Sequence, residues 1–161
     1  MNYFELFEIP VSFSIDQTKL TRTYIQLQKK FHPDFYGQSS DEDREFSLEQ
    51  SSEVNKAYRT LKNPDLTMKY FLQLKGLIEE GEQYKLPPAF LMEVMDLNEM
   101  KMDGADKETV ESKSKELMGE ILGDIKDLLE NYDDVIATPE DHLRIKDYYY
   151  KKKYIDRLLE E

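Results

Sequence analysis

KLTRTYIQLQKKFHPD, residues 19–34, reads as an amphipathic helix with a fixed end. Leu20, Tyr24, Leu27 and Phe31 recur at spacings of four, three and four residues, which places them on one apolar stripe. Lys19, Arg22, Gln26, Lys29 and Lys30 fall largely off that stripe. Upstream, Asp16 stands where a carboxylate would accept from the free backbone N–H groups of the first turn. Pro33 disfavours helical geometry at His32, so the helix is predicted over 17–31. A loop, Phe-Tyr-Gly-Gln-Ser-Ser at 35–40, leads to a second amphipathic segment from Asp41 to Leu61. Phe46, Val54, Ala57, Tyr58 and Leu61 point that segment towards the same core, and Ser47 and Ser51 permit close helix approach.

Outward from this pair, a short helix is predicted over 2–8, with Tyr3, Leu6 and Phe7 on one face and Pro10 preventing continuation. Asn63 caps a fourth helix that has Pro64 in its first turn, Leu66, Tyr70, Phe71 and Leu74 as its apolar residues, and Gly76 at its end. Residues 77–87, with Gly81, three glutamates and Pro87-Pro88 at the far end, read as a linker. Three more helices follow, over 88–101, 106–131 and 138–160. Phe90, Leu91, Val94, Met95 and Leu97 make the first broadly apolar. Leu117, Ile121, Ile125, Leu128 and Tyr132 line the second, and Leu143, Ile145, Tyr149, Ile155, Leu158 and Leu159 the third. Thr138-Pro139-Glu140-Asp141 resembles a capping box. No alternating run is long enough for a strand, so the fold class is all-α.

Composition narrows the function. The net charge is −12, from 34 acidic and 22 basic residues, which opposes general binding to nucleic acid or to an anionic membrane. Without cysteine there is no disulfide, thiolate nucleophile or cysteine-ligated metal. No apolar stretch approaches the roughly 20 residues that span a bilayer. The opening Asn2-Tyr3-Phe4-Glu5 lacks the pattern of a secretory signal, and the expected location is cytoplasmic.

The order helix, His32-Pro33-Asp34, helix resembles the J domain of co-chaperones that stimulate the ATPase of heat-shock-seventy-class chaperones. The whole chain is similar to the HscB (Jac-type) co-chaperones of iron–sulfur cluster assembly. YFELF at 3–7, LQKKFHPD at 27–34, VNKAYRTL at 54–61, YFLQLKG at 70–76 and AFLME at 89–93 carry that similarity. General J proteins lack the last segment. The resemblance implies a J domain at 1–76, a linker at 77–87 and a scaffold-binding three-helix domain at 88–161. It implies two partners, a chaperone ATPase of HscA/DnaK type and an IscU-type iron–sulfur scaffold, and no resident cofactor. It assigns the chaperone contact to His32, Pro33, Asp34, Arg22, Gln26, Lys29 and Lys30. Scaffold contact falls to Leu91, Met92, Met95, Asp96, Glu99, Asp103 and Tyr154. Three departures stand out: Thr67-Met68 where the family has an arginine–alanine pair, Asp96 for glutamate, and Gln26 for a charge. A cysteine-rich N-terminal module found in eukaryotic members is missing, which points to a bacterial or a processed mitochondrial form.

Each motif also has a plainer reading. His32-Pro33-Asp34 could simply terminate a helix, and Arg22, Lys29 and Lys30 could be a solvated face. Leu91, Met92 and Met95 could be bundle core; the helix is apolar around more than half its circumference, so Phe90, Val94 and Leu97 can serve the core while those three stay partly outside. In Tyr148-Tyr149-Tyr150-Lys151-Lys152-Lys153-Tyr154 the side chains point in different directions, so no base-stacking platform forms. Catalysis by His32 and Asp34 would need convergent side chains and a nucleophile or metal, and residues flanking a proline are expected to diverge. The alternatives left are a J protein with another client on its C-terminal bundle, and a small helical metal enzyme using His32, His142 and carboxylates.

Overall fold

The computed structural model describes residues 1–36 and 40–160. Among them the elements are α1 (Tyr3–Leu6), α2 (Gln17–Phe31), a 3-10 turn (Pro33–Tyr36), α3 (Asp41–Leu61), α4 (Pro64–Leu74), α5 (Pro88–Met102), α6 (Lys107–Glu130) and α7 (Pro139–Glu160). The fold is all-α. Of the expected 35–40 loop, Gly37, Gln38 and Ser39 lie outside the described residues, as does Glu161. Phe35 and Tyr36 belong to the 3-10 turn.

The chain divides into two compact units, Met1–Phe71 and Leu72–Glu161. The division falls within α4, not at residues 77–87. The segment read as a linker is held to its own unit instead. Tyr84 stacks on Tyr150 with ring centroids 4.6 Å apart and donates to Asp147 Oδ1 at 2.8 Å. Glu82 pairs with Lys146 at 3.0 Å, and Leu86 is buried. Its glycine and glutamates carry a linker composition, but Glu82, Tyr84 and Leu86 decide where it lies.

In the first unit, Phe4, Phe7, Leu20, Val54, Ala57 and Leu61 form the core, with Tyr24, Leu27, Phe31 and Tyr58 packed against it. Each of the buried Phe, Leu and Val side chains contributes about 1.5–3 kcal/mol. Phe4, absent from the predicted face of α1, is 1% exposed. Asp16 accepts from the N–H of Thr18 and Lys19 at 3.0 and 3.2 Å, and Asn63 from those of Asp65 and Leu66 at 3.0 and 3.2 Å, as the sequence predicts. Phe46 corrects the prediction, being half exposed. Ser47 is the buried neighbour, in line with Val54 and Leu61 at seven-residue steps, and Phe46 lies about 100° off that line. Its ring packs edge-to-face with that of Phe31, with centroids 6.3 Å apart. Likewise α4 buries Thr67, Met68, Phe71 and Leu72, which leaves Leu66 on the opposite side and Leu74 at the edge. Thr67 donates its hydroxyl to the carbonyls of Thr60 and Asn63, both at 2.9 Å, so the departure from the family pair is locally satisfied.

The second unit takes in the last residues of α4, from Leu72. Gly76 has φ +69°, its N–H donates to Gln73 O at 3.0 Å, and Leu77 N–H donates to Leu72 O at 2.8 Å. That is a Schellman ending, which glycine adopts without a Cβ penalty. Phe90, Val94 and Leu97 of α5, Val110, Leu117, Ile121 and Ile125 of α6, and Ile145, Tyr148, Ile155 and Leu158 of α7 are buried. Leu143, predicted for the core, is exposed on the far side of α7, and Leu159 in its last turn is exposed as well. Thr138 and Asp141 cap α7 reciprocally, at 3.0 and 3.1 Å.

Ahead of that cap, the α6–α7 turn is tied down by Asp134. Its carboxylate lies 2.6 Å from Lys75 Nζ and accepts from Tyr132 Oη at 2.8 Å. The Lys75 bond, more than the Tyr132 bond, holds the Asp134 carboxyl below the usual carboxylate range. A carboxyl lowered in the folded state stabilises fully above its unfolded value near 3.9, and that stabilisation is lost as pH falls through the lowered folded value. Asp134→Asn should therefore lower the melting temperature at pH 7 by a few degrees. The gap between variant and parent should close as pH falls below about 4. Thermal melts by circular dichroism across that range check both parts.

Candidate functional site

The end of α2 is built by its last two carbonyls and the proline after them. His32 takes an extended conformation, φ −61° and ψ 131°, as a residue before proline should. The 3-10 turn then starts at Pro33, with Phe35 N–H donating to His32 O at 3.0 Å. Tyr36 Oη donates to Lys30 O at 3.3 Å, which satisfies one of the free carbonyls at the helix end. His32 and Asp34 do not diverge. Asp34 N–H donates to His32 Nδ1 at 3.2 Å, and the same nitrogen lies 3.5 Å from Asp34 Oδ2. The physical reason is the tight 3-10 turn, which carries residue 34 back over residue 32. With Nδ1 accepting, the neutral imidazole keeps its proton on Nε2. Asp34 remains 89% exposed, so its carboxylate stands open to solvent beside the imidazole.

Behind this turn the α2–α3 pair is cross-linked at one residue. Asn55 Oδ1 accepts from both Tyr24 Oη and Gln28 Nε2 at 2.7 Å, and Ser51 Oγ donates to Gln28 Oε1 at 3.2 Å. Tyr24 and Tyr58 stack with centroids 4.1 Å apart. The contacts run Thr21–Tyr58, Tyr24–Asn55, Gln28–Ser51, so the helices are antiparallel. This leaves Arg22, Gln26, Lys29 and Lys30 exposed together on the outer face. Among the described residues, none of the three cations has a carboxylate partner. Lys29 and Lys30 sit in the last turn, where the helix dipole favours positive charge. Ile25, half exposed between Arg22 and Lys29, adds an apolar contact that the sequence reading missed. Its spacing from Arg22, three residues, was the available signal.

In the second unit α5 splits its apolar residues between two sides. Phe90, Val94 and Leu97 turn inward, while Met92 and Met95 are 66% and 67% exposed and Leu91 is half-buried. A groove of about 300 Å³ runs between α5 and α7, lined by Leu91, Val94, Met95, Asn98, Tyr154, Arg157 and Leu158. Of the residues assigned to the scaffold, it brings together Leu91, Met95 and Tyr154. Asp96 faces the other way, into a depression against α6 that also holds Glu93, Glu116, Glu120 and Lys113. Met92, Glu99 and Asp103 occupy the exposed outer side of α5, and Asp103 also caps the helix, its N–H donating to Glu99 O at 2.9 Å. The tyrosine run on α7 is dispersed: Tyr148 is buried, Tyr150 stacks on Tyr84, and Tyr154 lines the groove.

Among the described residues no group of three or more His, Asp or Glu side chains is placed to hold a metal. His142 Nε2 lies 3.0 Å from Tyr132 Oη, within the network that fixes the α6–α7 turn. Nor is any helix of the described residues long and apolar enough to cross a membrane.

A histidine–proline–aspartate turn between two antiparallel helices, followed by a three-helix unit, defines a J-type co-chaperone. Known proteins agree. The family model described as "HSCB C-terminal oligomerisation domain" matches residues 86–161. A co-chaperone protein HscB homolog of Aeromonas hydrophila is 36% identical over 162 residues, covering 100% of this chain and 94% of its own. The homolog of Vibrio cholerae is 44% identical over 100 residues, 62% of this chain and 58% of its own. Among solved structures, chaperone HscB from Vibrio cholerae superposes with a TM-score of 0.69 at 32% identity, over 99% of this chain and 94% of that one. Human co-chaperone protein HscB gives 0.76 at 32% identity, over 99% of this chain and 79% of that one. The chain belongs to the HscB co-chaperone family.

Proposed function

We propose that this co-chaperone stimulates ATP hydrolysis in a heat-shock-seventy-class chaperone of HscA/DnaK type and delivers an IscU-type iron–sulfur scaffold to it. The observation that carries the reading is the His32-Pro33-Asp34 turn. It presents an exposed carboxylate at the end of a helix face whose three cations, among the described residues, have no carboxylate partner. A carboxylate held this way suits a bidentate bond to a partner arginine, and the cations suit an acidic groove beside it. On the second unit, the groove of Leu91, Met95 and Tyr154 with Met92 beside it supplies an apolar surface that a folded scaffold can cover. Methionines adapt to an irregular partner.

Chaperone ATPase turnover, measured with and without the scaffold, tests the whole reading. Stimulation by the chain alone and further stimulation with scaffold are expected; no stimulation in either condition would end it. Charge reversal of the basic face is a finer test. Lys29→Glu with Lys30→Glu should slow chaperone association by about tenfold, and the parent rate should fall as salt rises. Stopped-flow rates indifferent to both changes would show a merely solvated face.

A further inference from the structure

The α5–α7 groove does not end at Tyr154. A second trough of about 300 Å³ opens on the other side of the same two residues, lined by Tyr154 and Arg157 together with Glu82, Tyr84, Leu86, Tyr150 and Lys153. Tyr154 and Arg157 line both depressions, so the two form one continuous surface. Its far wall is the 82–86 strap, fixed by the Tyr84–Tyr150 stack and the Tyr84–Asp147 hydrogen bond. The wall is therefore already in place before any partner arrives.

Charge on this extension runs against that of α5. The chain carries −12, and the outer side and α6 flank of α5 are acidic. In the trough, Glu82 is paired with Lys146 at 3.0 Å, and Arg157 is the cation that stands where the two depressions meet. Lys153 Nζ sits 5.5 Å from the Tyr149 ring centroid. Arg157 is exposed and, among the described residues, has no carboxylate partner. A guanidinium between two grooves, with a tyrosine ring beside it, offers a planar fork to a carboxylate.

We propose that Arg157 anchors an acidic side chain of the scaffold, on an extended segment that fills the α5–α7 groove with an apolar residue and continues into the strap trough. This rests on the scaffold reading above. It adds what that reading lacks, a positive contact opposite in sign to Asp96, Glu99 and Asp103. A partner segment with basic residues towards α5 and an acidic residue towards α7 can then seat in one direction only.

Calorimetric titration of the full chain with its IscU-type scaffold decides the matter. Arg157→Glu should weaken binding about tenfold or more, and Arg157→Gln should do so by less. Neither should shift the thermal melt, since the side chain is exposed and, among the described residues, makes no ion pair. Reversal of one scaffold carboxylate to lysine should weaken binding to the parent and restore it to Arg157→Glu. If Arg157→Glu binds like the parent while Leu91→Ala with Met95→Ala loses binding, the anchor is wrong and the scaffold reading stands. If no scaffold reversal restores Arg157→Glu, the carboxylate assignment is wrong. If the parent does not bind the scaffold at all, both fall.

Discussion

Asp34→Asn reduces chaperone ATPase stimulation to the basal rate and leaves the helical content of the protein unchanged. Both halves of that expectation come from the turn geometry. The side chain is 89% exposed, so no buried volume changes. Its backbone N–H still donates to His32 Nδ1, so the 3-10 turn retains its closing contact. What is lost is a charge and one of two equivalent acceptor oxygens. An asparagine can accept from a guanidinium at only one oxygen, and it presents an N–H₂ group where the second acceptor stood. Hydrogen bonds to charged groups contribute about 1.5–3 kcal/mol, so the loss corresponds to about a 10–100-fold fall in productive engagement. Steady-state ATPase turnover with circular dichroism on the same preparation checks it. Full stimulation by a folded Asp34→Asn protein would remove the basis for the J-type function.

Much of this surface was legible because it depends on rules that act within a few residues. The Asp16 and Asn63 caps, the stop before Pro33 and the Gly76 ending are local, and each appears where the sequence put it. Faces of short or uniformly apolar helices were less legible. In α4 nearly every second residue is apolar, and only packing decides that Met68 is buried and Leu66 is not. Phe46 failed for a related reason. A large apolar residue was assigned to the core, but close approach of α2 and α3 placed Ser47 there. The convergence of His32 and Asp34 was not legible because proline fixes its own φ, while the path of the chain after it follows from the 3-10 turn. Tyr84 was the clearest loss. One aromatic ring in an acidic, glycine-containing segment gives no periodic signal, yet it sets the wall of a groove. The assigned scaffold residues also divided in a way no helical wheel of α5 alone could show. Which of its flanks faces α6 and which faces α7 is a tertiary fact.

Replacing Leu91, Met92 and Met95 together by alanine separates two uses of the same apolar helix. Were all three core residues, each truncation would cost about 2–5 kcal/mol and the bundle would melt. Met92 and Met95 are two-thirds exposed, and the inward positions of α5 are held by Phe90, Val94 and Leu97. Leu91 is half-buried at the groove floor and should account for most of whatever stability is lost. Near-parent thermal unfolding is therefore expected, with a shift well below that of a single core truncation. Scaffold affinity should fall below detection, because the groove loses two lining side chains and the ridge beside it a third. Reversal of Asp96, Glu99 and Asp103 should weaken binding less, since exposed rim charges mainly set the association rate. The outward-facing Glu99 and Asp103 should matter more than Asp96, which turns into the α6 depression. Calorimetric titration alongside a thermal melt reads affinity and stability from the same protein. Unchanged affinity in the triple variant would place the client surface elsewhere, and a collapsed melt would return these residues to the core.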